Sequence, residues 1–261
     1  MRIGRFSVAQ FVVAALLILA TLAMAGCSSL GGDQNTFSPA GDVAESQLNY
    51  FYIVLAPAVV ILIGVIAVLL YSLYRYRRRS DDEPLPKQVH GNDRLEYAWT
   101  IAPAILLIAI AIPTVIGIFE IGRAPRADAL HVRVEAFQWD WQFVYLDPEY
   151  EDANGEPLTS PELYIPVGRE IGVELESSDV IHSFWVPRLA GKLDIVPGRT
   201  NEMWFNATEA GTFAAQCAEF CGIGHAIMRF DVIAQPPDEF EAWAAEQLSG
   251  QTAAAEGGGG S

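Results

Sequence analysis

The sequence is poor in cysteine, histidine and basic residues. It has 3 Cys and 4 His in 261 residues, and 16 Lys plus Arg against 32 Asp plus Glu, which gives a net charge of −16. So acidic a chain argues against a nucleic-acid partner, because nucleic acids attract basic surfaces. No Cys-x-x-Cys-His motif occurs, which excludes a c-type haem attached to this chain. An acidic exterior suits a basic partner, or simply solubility.

The N-terminus has the layout of a secretory signal. Arg2 and Arg5 precede an apolar run over 11–24, and Ala25-Gly26-Cys27 follows. A cysteine directly after Ala-Gly resembles a bacterial lipobox, so we expect residues 1–26 to be a lipoprotein-type signal peptide and Cys27 to carry the lipid. The alternative is an ordinary exported protein with an unmodified cysteine.

Two long uncharged runs predict a transmembrane hairpin over 48–122, after a polar tether over 27–47. The runs cover 51–74 and 97–119, and about 20 apolar residues suffice for a helix to cross a bilayer. Arg75, Arg77, Arg78 and Arg79 follow the first run, which places that end in the cytoplasm by the positive-inside bias. We therefore expect a two-pass protein of the bacterial cytoplasmic membrane, with the N-terminus and everything after about residue 122 on the outer face.

Beyond residue 127 the pattern changes to short alternating segments separated by turns. Such segments recur near 130–137, 141–146, 171–176, 181–187, 202–206, 211–216 and 227–234, which predicts a β-sandwich or barrel. We assign this domain to residues 123–249, closed by a short helix over 237–248. Residues 250–261 end in Gly-Gly-Gly-Gly-Ser and are interpreted as a flexible linker.

One twelve-residue stretch carries metal-binding chemistry. It contains Cys217, Cys221, His225 and Met228. Thiolate, thioether and imidazole together favour copper, whereas zinc has little use for methionine. The alternative is a Cys217–Cys221 disulfide, which an oxidising compartment allows but which leaves the nearby His225 and Met228 unexplained.

The pattern Cys-x-Glu-x-Cys-x-x-x-His-x-x-Met resembles the signature of cytochrome c oxidase subunit II. The segment 178–184, the segment 192–199 and Gln138-Trp139-Asp140-Trp141 extend the resemblance. It implies a cupredoxin-like Greek-key domain behind the two-helix hairpin, holding a binuclear copper A centre. The ligands it implies are His182, Cys217, the carbonyl of Glu219, Cys221, His225 and Met228.

The resemblance also implies roles outside the copper ligands. Trp139 would be the electron entry point, although Asp140 stands where the family often has tyrosine. The Glu219 side chain would reach a magnesium ion at the junction with subunit I, and Glu96 would lie at the mouth of a proton channel. Alternatives are ordinary packing of strand residues for Trp139 and Trp141, favoured for Trp141, and a solvated carboxylate at a helix start for Glu96. Asp179, near His182 in sequence, is a candidate docking contact.

The implied function is subunit II of a cytochrome c oxidase. It would take electrons from cytochrome c, or a cytochrome c-containing subunit, and pass them to the haem of subunit I, where oxygen is reduced to water with proton pumping. Residues 126–250 hold 22 Asp plus Glu against 7 Lys plus Arg, a field that would steer a basic cytochrome. The main alternative is the copper A subunit of a nitric-oxide reductase-type enzyme. A quinol oxidase subunit, a nitrous-oxide reductase domain and a copper carrier explain fewer of these features.

Overall fold

A computed structural model describes residues 32–78, 80 and 87–257, with side chains as far as residue 253. The signal peptide, Cys27 and the last four residues lie outside the described residues. Two long apolar helices come first, α1 (Asp42–Arg75) and α2 (Asp93–Ile121). Both are long and apolar enough to cross a membrane, and their side chains are largely exposed. They pack closely at Gly117, where an added Cβ would lie 2.5 Å from the Tyr50 ring.

The first helix starts earlier than the predicted hairpin boundary. The backbone N–H of Ala40 donates to the carbonyl of Arg188 (2.7 Å), and Asp42 and Asn206 exchange two hydrogen bonds of 2.9 and 2.8 Å. Ala40 and Ala44 are also buried. Residues 40–47 are therefore attached to the β-domain or part of α1, whereas the sequence predicts a polar tether as far as residue 47.

The β-domain is a sandwich of two five-stranded sheets. The strands are β1 (Leu130–Phe137), β2 (Asp140–Tyr145), β3 (Thr159–Ser160), β4 (Leu163–Pro166), β5 (Ile171–Ser177), β6 (His182–Trp185), β7 (Lys192–Ile195), β8 (Asn201–Phe205), β9 (Gly211–Cys217) and β10 (Arg229–Gln235). One sheet has the order β3-β2-β1-β5-β8 and the other β4-β10-β9-β6-β7. The pairs β1–β5 and β4–β10 are parallel and the others antiparallel. The expected fold class, two membrane helices followed by a cupredoxin-like β-domain, is confirmed.

Alternation along the strands builds the core between the sheets. Every second residue of β1 is buried, as expected for a strand with one face on a core. Aromatic rings fill the centre, with Phe184 and Phe230 stacked at 5.2 Å. The closing helix α3 (Pro237–Gly257) buries Phe240 and stacks Trp243 on Tyr164 at 4.1 Å. It continues past residue 250, so the first part of the predicted linker is helical.

A cluster of charged groups joins α2 to the β-domain. Arg123 donates to both carboxylate oxygens of Glu170 (2.9 and 2.6 Å), and the backbone N–H of Arg126 donates to the same carboxylate (2.8 Å). The Arg123 guanidinium also lies 3.8 Å from the centre of the Trp204 ring. The hydrogen bond from Arg123 is the main reason why the pKa of Glu170 lies below its ordinary value.

Candidate metal centre

The five predicted ligand side chains converge at one end of the sandwich. His182 opens β6 and Cys217 closes the neighbouring β9, whose residue Cys217 pairs with Phe184. The loop after β9 then turns back and brings Cys221, His225 and Met228 against the same end. His182, Cys217, Cys221 and Met228 are buried, and His225 is half-buried. Residues 35 positions apart in sequence meet because their strands are neighbours in the sheet.

The sulfur and nitrogen atoms form a compact group. The Sγ atoms of Cys217 and Cys221 lie 3.8 Å apart, and the thiols are free. Nδ1 of His182 lies 3.9 Å from Cys217 Sγ, and Nδ1 of His225 lies 3.8 Å from Cys221 Sγ. The Met228 Sδ is 3.7 Å from Cys221 Sγ. Each imidazole therefore faces one thiol, and the thioether faces the second.

Backbone geometry adds a sixth potential ligand. The carbonyl oxygen of Glu219 lies 3.2 Å from Cys217 Sγ. Desolvation, followed by the neighbouring Cys217, raises the pKa of the Cys221 thiol to about 11. The raised pKa favours the protonated thiol, whereas a bound cation would favour the thiolate, since metals bind the deprotonated sulfur. Two thiols, two imidazoles, a thioether and a carbonyl in a buried group form a donor set that fits soft copper ions.

Asp179 holds His182 from the side opposite the thiols. Its Oδ1 lies 2.9 Å from Nε2 of His182, which leaves Nδ1 directed at Cys217. Its Oδ2 accepts the backbone N–H of Gln138 at 2.6 Å, and Oδ1 also accepts that of Val180 at 2.6 Å. Desolvation raises the pKa of Asp179, but these hydrogen bonds outweigh it and hold the pKa below its ordinary value. A carboxylate on the outer nitrogen of a ligand histidine fixes its tautomer and ring orientation.

The indole of Trp139 lies on the loop of residues 218–228 between β9 and β10, called the ligand loop from here on. It is 38% exposed, and its Nε1 donates to the carbonyl of Cys221 at 3.3 Å. The side-chain amide of Gln138 donates to the same carbonyl at 2.8 Å. Trp141 is buried against Phe230, with ring centroids 4.8 Å apart, which is the packing role that sequence reasoning also allowed.

Other predicted residues lie apart from this group. The Glu219 carboxylate is 3.9 Å from Lys192 Nζ and its side chain is 45% exposed. Glu96 is exposed at the start of α2, where its carboxylate accepts the backbone N–H of Asn92 at 3.2 Å. The contact satisfies a backbone donor at the helix N-terminus, beside the Asn92 side chain, which caps the N–H groups of Arg94 and Leu95. Cys27 lies outside the described residues, so its lipid attachment stays a prediction.

Sequence reasoning missed two features of the site. The first is the hydrogen bond from the Gln138 side chain to the carbonyl of Cys221, which joins residues 83 positions apart in sequence. The second is the exposure of three apolar side chains of the ligand loop, Phe220, Ile223 and Ile227, which are 75%, 93% and 80% exposed. No periodic signal marks them, because the loop is neither helix nor strand over most of its length.

The chain resembles subunit 2 of known terminal oxidases. Residues 130–235 match the family "Cytochrome C oxidase subunit II, periplasmic domain", and residues 33–116 match the transmembrane domain of the same subunit. The chain is 38% identical to cytochrome c oxidase subunit 2 of Alkalihalophilus pseudofirmus, over 85% of this chain and 64% of that protein. It is 36% identical to the Bacillus subtilis protein of that name, over 88% and 67%. It is also 31% identical to quinol oxidase subunit 2 of Bacillus spizizenii, over 87% and 71%. The chain thus matches about two thirds of the length of these relatives.

Proposed function

The chain belongs to the cytochrome c oxidase subunit II family, and we propose that it carries a binuclear copper A centre that accepts electrons from cytochrome c. The electrons would pass to the haem of subunit I, where oxygen is reduced to water with proton pumping. The observation that carries the proposal is the convergence of His182, Cys217, Cys221, His225 and Met228 within one buried group.

The proposed division of roles follows from the donor atoms. Cys217 and Cys221 as thiolates, and His182 and His225 as imidazoles, would hold the two coppers. Met228 and the Glu219 carbonyl are the weak donors that would tune the potential. When bound, the copper pair supplies a one-electron redox couple. Strands β6 and β9 hold ligands at fixed separation, which suits a site whose geometry should change little with charge.

Electron entry is assigned to Trp139. Its partly exposed indole is hydrogen-bonded to the carbonyl of Cys221, so it connects the surface directly to a ligand residue. The acidic domain would steer a basic cytochrome at rates that fall with salt. Asp179 remains a candidate docking contact, although its side chain is largely occupied by internal hydrogen bonds.

Membrane placement and partners complete the proposal. We propose that the N-terminus and the copper domain lie on the outer face of the bacterial cytoplasmic membrane, with Cys27 lipidated. Subunit I would pack on the exposed apolar helices, and a magnesium ion at that junction would bind the Glu219 carboxylate. Glu96 would lie at a proton-channel entrance. Residues 48–122 would act as the anchor and 123–249 as the electron-transfer domain.

The test is copper loading of the full chain in detergent. The chain is reduced, loaded with copper and freed of excess metal, and copper per chain and the paramagnetic resonance spectrum are recorded. Two coppers with hyperfine splitting from two equivalent nuclei would support the proposal. Cys221→Ser should abolish that spectrum, while Ser249→Ala, in α3, should not. One copper, or none after reduction, would contradict it.

Turnover of the assembled complex separates the remaining alternatives. A nitric-oxide reductase-type enzyme would carry the same copper signal but would consume nitric oxide in place of oxygen. A quinol oxidase subunit, as the Bacillus spizizenii relative is named, would be reduced by quinol and would not need the five ligand side chains.

A further inference from the structure

The glycines of the ligand loop form a surface on which the Trp139 ring rests. Gly222 and Gly224 lie between the ligands Cys221 and His225. A Cβ added at Gly224 would lie 2.4 Å from Cγ, 2.5 Å from Cδ2 and 3.0 Å from Cβ of Trp139. At Gly222 it would lie 3.3 Å from Cζ2 and Nε1 of the same indole. The ring is thus in contact with the loop backbone along its length.

The two glycines are there for different physical reasons. Gly222 has φ +121°, a backbone conformation that favours glycine whatever the neighbours. Gly224 has φ −88° and ψ 3°, a conformation that non-glycine residues adopt at the third position of type I turns. The backbone at 224 therefore does not require glycine, and the atoms nearest to an added Cβ are those of Trp139.

The indole cannot move aside freely to make room. Of the Trp139 atoms that an alanine at 224 would meet, Cβ moves only with the backbone, and Cγ and Cδ2 can give way only by rotation of the whole ring about the side-chain bonds. The residue before it is held by two hydrogen bonds, because the N–H of Gln138 donates to Asp179 and the side chain of Gln138 donates to the Cys221 carbonyl. A methyl group at 224 must therefore lift the ring off the loop and break the Nε1 contact to Cys221.

We propose that Gly224 is a positioning residue for electron entry, which sets the distance between the Trp139 indole and the copper ligands by leaving room for the ring. The inference rests on the proposed function. It assigns to a residue outside the proposed ligand set the task of keeping the entry ring in contact with the ligand loop.

The experiment measures the rate at which reduced cytochrome c reduces the copper centre in the assembled oxidase. Four forms are compared, wild type, Gly224→Ala, Trp139→Ala and the double variant, and the copper spectrum of each is recorded. Gly250→Ala is the matched control, since it makes the same substitution in α3, where an added Cβ would have nothing within 4 Å. Gly224→Ala should slow reduction by about tenfold or more, within the roughly 10²-fold that a 1 Å misplacement costs other positioned reactions. The copper spectrum should stay that of the wild type, and Gly250→Ala should keep the rate.

The double variant decides whether the glycine acts through the ring. If it does, Gly224→Ala should cost nothing further once Trp139 is alanine, because the ring is gone. An unchanged rate in Gly224→Ala overturns the inference. So does a further loss or an altered copper spectrum in the double variant, which would mean that residue 224 acts on His225 directly. Failure of the proposed function looks different, as a missing dicopper spectrum in the wild type or a Trp139→Ala variant that is reduced normally.

Discussion

Replacing Asp179 by asparagine should weaken copper binding, because this carboxylate holds the ligand His182. Asparagine keeps the shape but turns one oxygen into an NH₂ group, so either Nε2 of His182 or the N–H of Gln138 then faces a hydrogen-bond donor. Losing one hydrogen bond to a charged group costs about 1.5–3 kcal/mol. That range corresponds to a copper affinity that is roughly 10–100-fold weaker, which is also the usual loss when the partner of a ligand histidine is removed.

The assay is a competition between the full chain and a chelator of known copper affinity. Asp128→Asn is the matched control, since it makes the same charge change at a side chain that is 87% exposed and away from the ligands. If Asp179 serves only as a docking contact, the two variants will hold copper equally well, and Asp179→Asn will only slow reduction by cytochrome c in a salt-dependent way. That result would refute the reasoning.

Three further predictions concern the weak ligand, the membrane junction and the core. Met228→Leu should keep copper bound and shift the potential, at a stability cost below about 1.5 kcal/mol because volume is conserved; redox titration and copper counting check both. Glu170→Gln should cost about 1.5–3 kcal/mol at neutral pH through its hydrogen bonds to Arg123. Because the pKa of Glu170 is lowered on folding, its contribution is present above its unfolded pKa and is lost as pH falls through the folded value, so thermal unfolding of the variant should depend less on pH at the acid end. Phe184→Ala should cost about 3–5 kcal/mol, as for other buried aromatic residues, seen as a lower unfolding temperature.

Much of the fold was predictable because uncharged runs and alternating residues mark its helices and strands. Long uncharged runs identified both helices, and alternation identified seven of the strands, including those that carry His182 and Cys217. The missed strands, Thr159–Ser160, Leu163–Pro166 and Lys192–Ile195, are two to four residues long. They are too short to show a period, and long-range partners define them. The extension of α1 to Asp42 was missed because polar residues there are satisfied by the β-domain.

The candidate ligand residues, which converge in the structure, could be named in advance because the motif places four of them within twelve residues. Their supporting groups could not. Asp179 looked like an exposed acid in sequence, and its hydrogen bonds to His182 and Gln138 exist only once β1 and β6 are folded. Gly224 gave no sequence signal at all, since its significance depends on which ring lies above it.

The junction between α2 and the β-domain limits how the two parts can move relative to one another. Residues 122–129 connect α2 to β1, and within them Arg123 and Arg126 are tied to Glu170, itself at the start of β5. A segment so short, fastened at two residues, restricts how far the β-domain can swing relative to α2. If the ligand group holds copper as proposed, its separation from the helices is set by the fold. Closing the distance to an electron donor would then be the task of the donor and not of this domain.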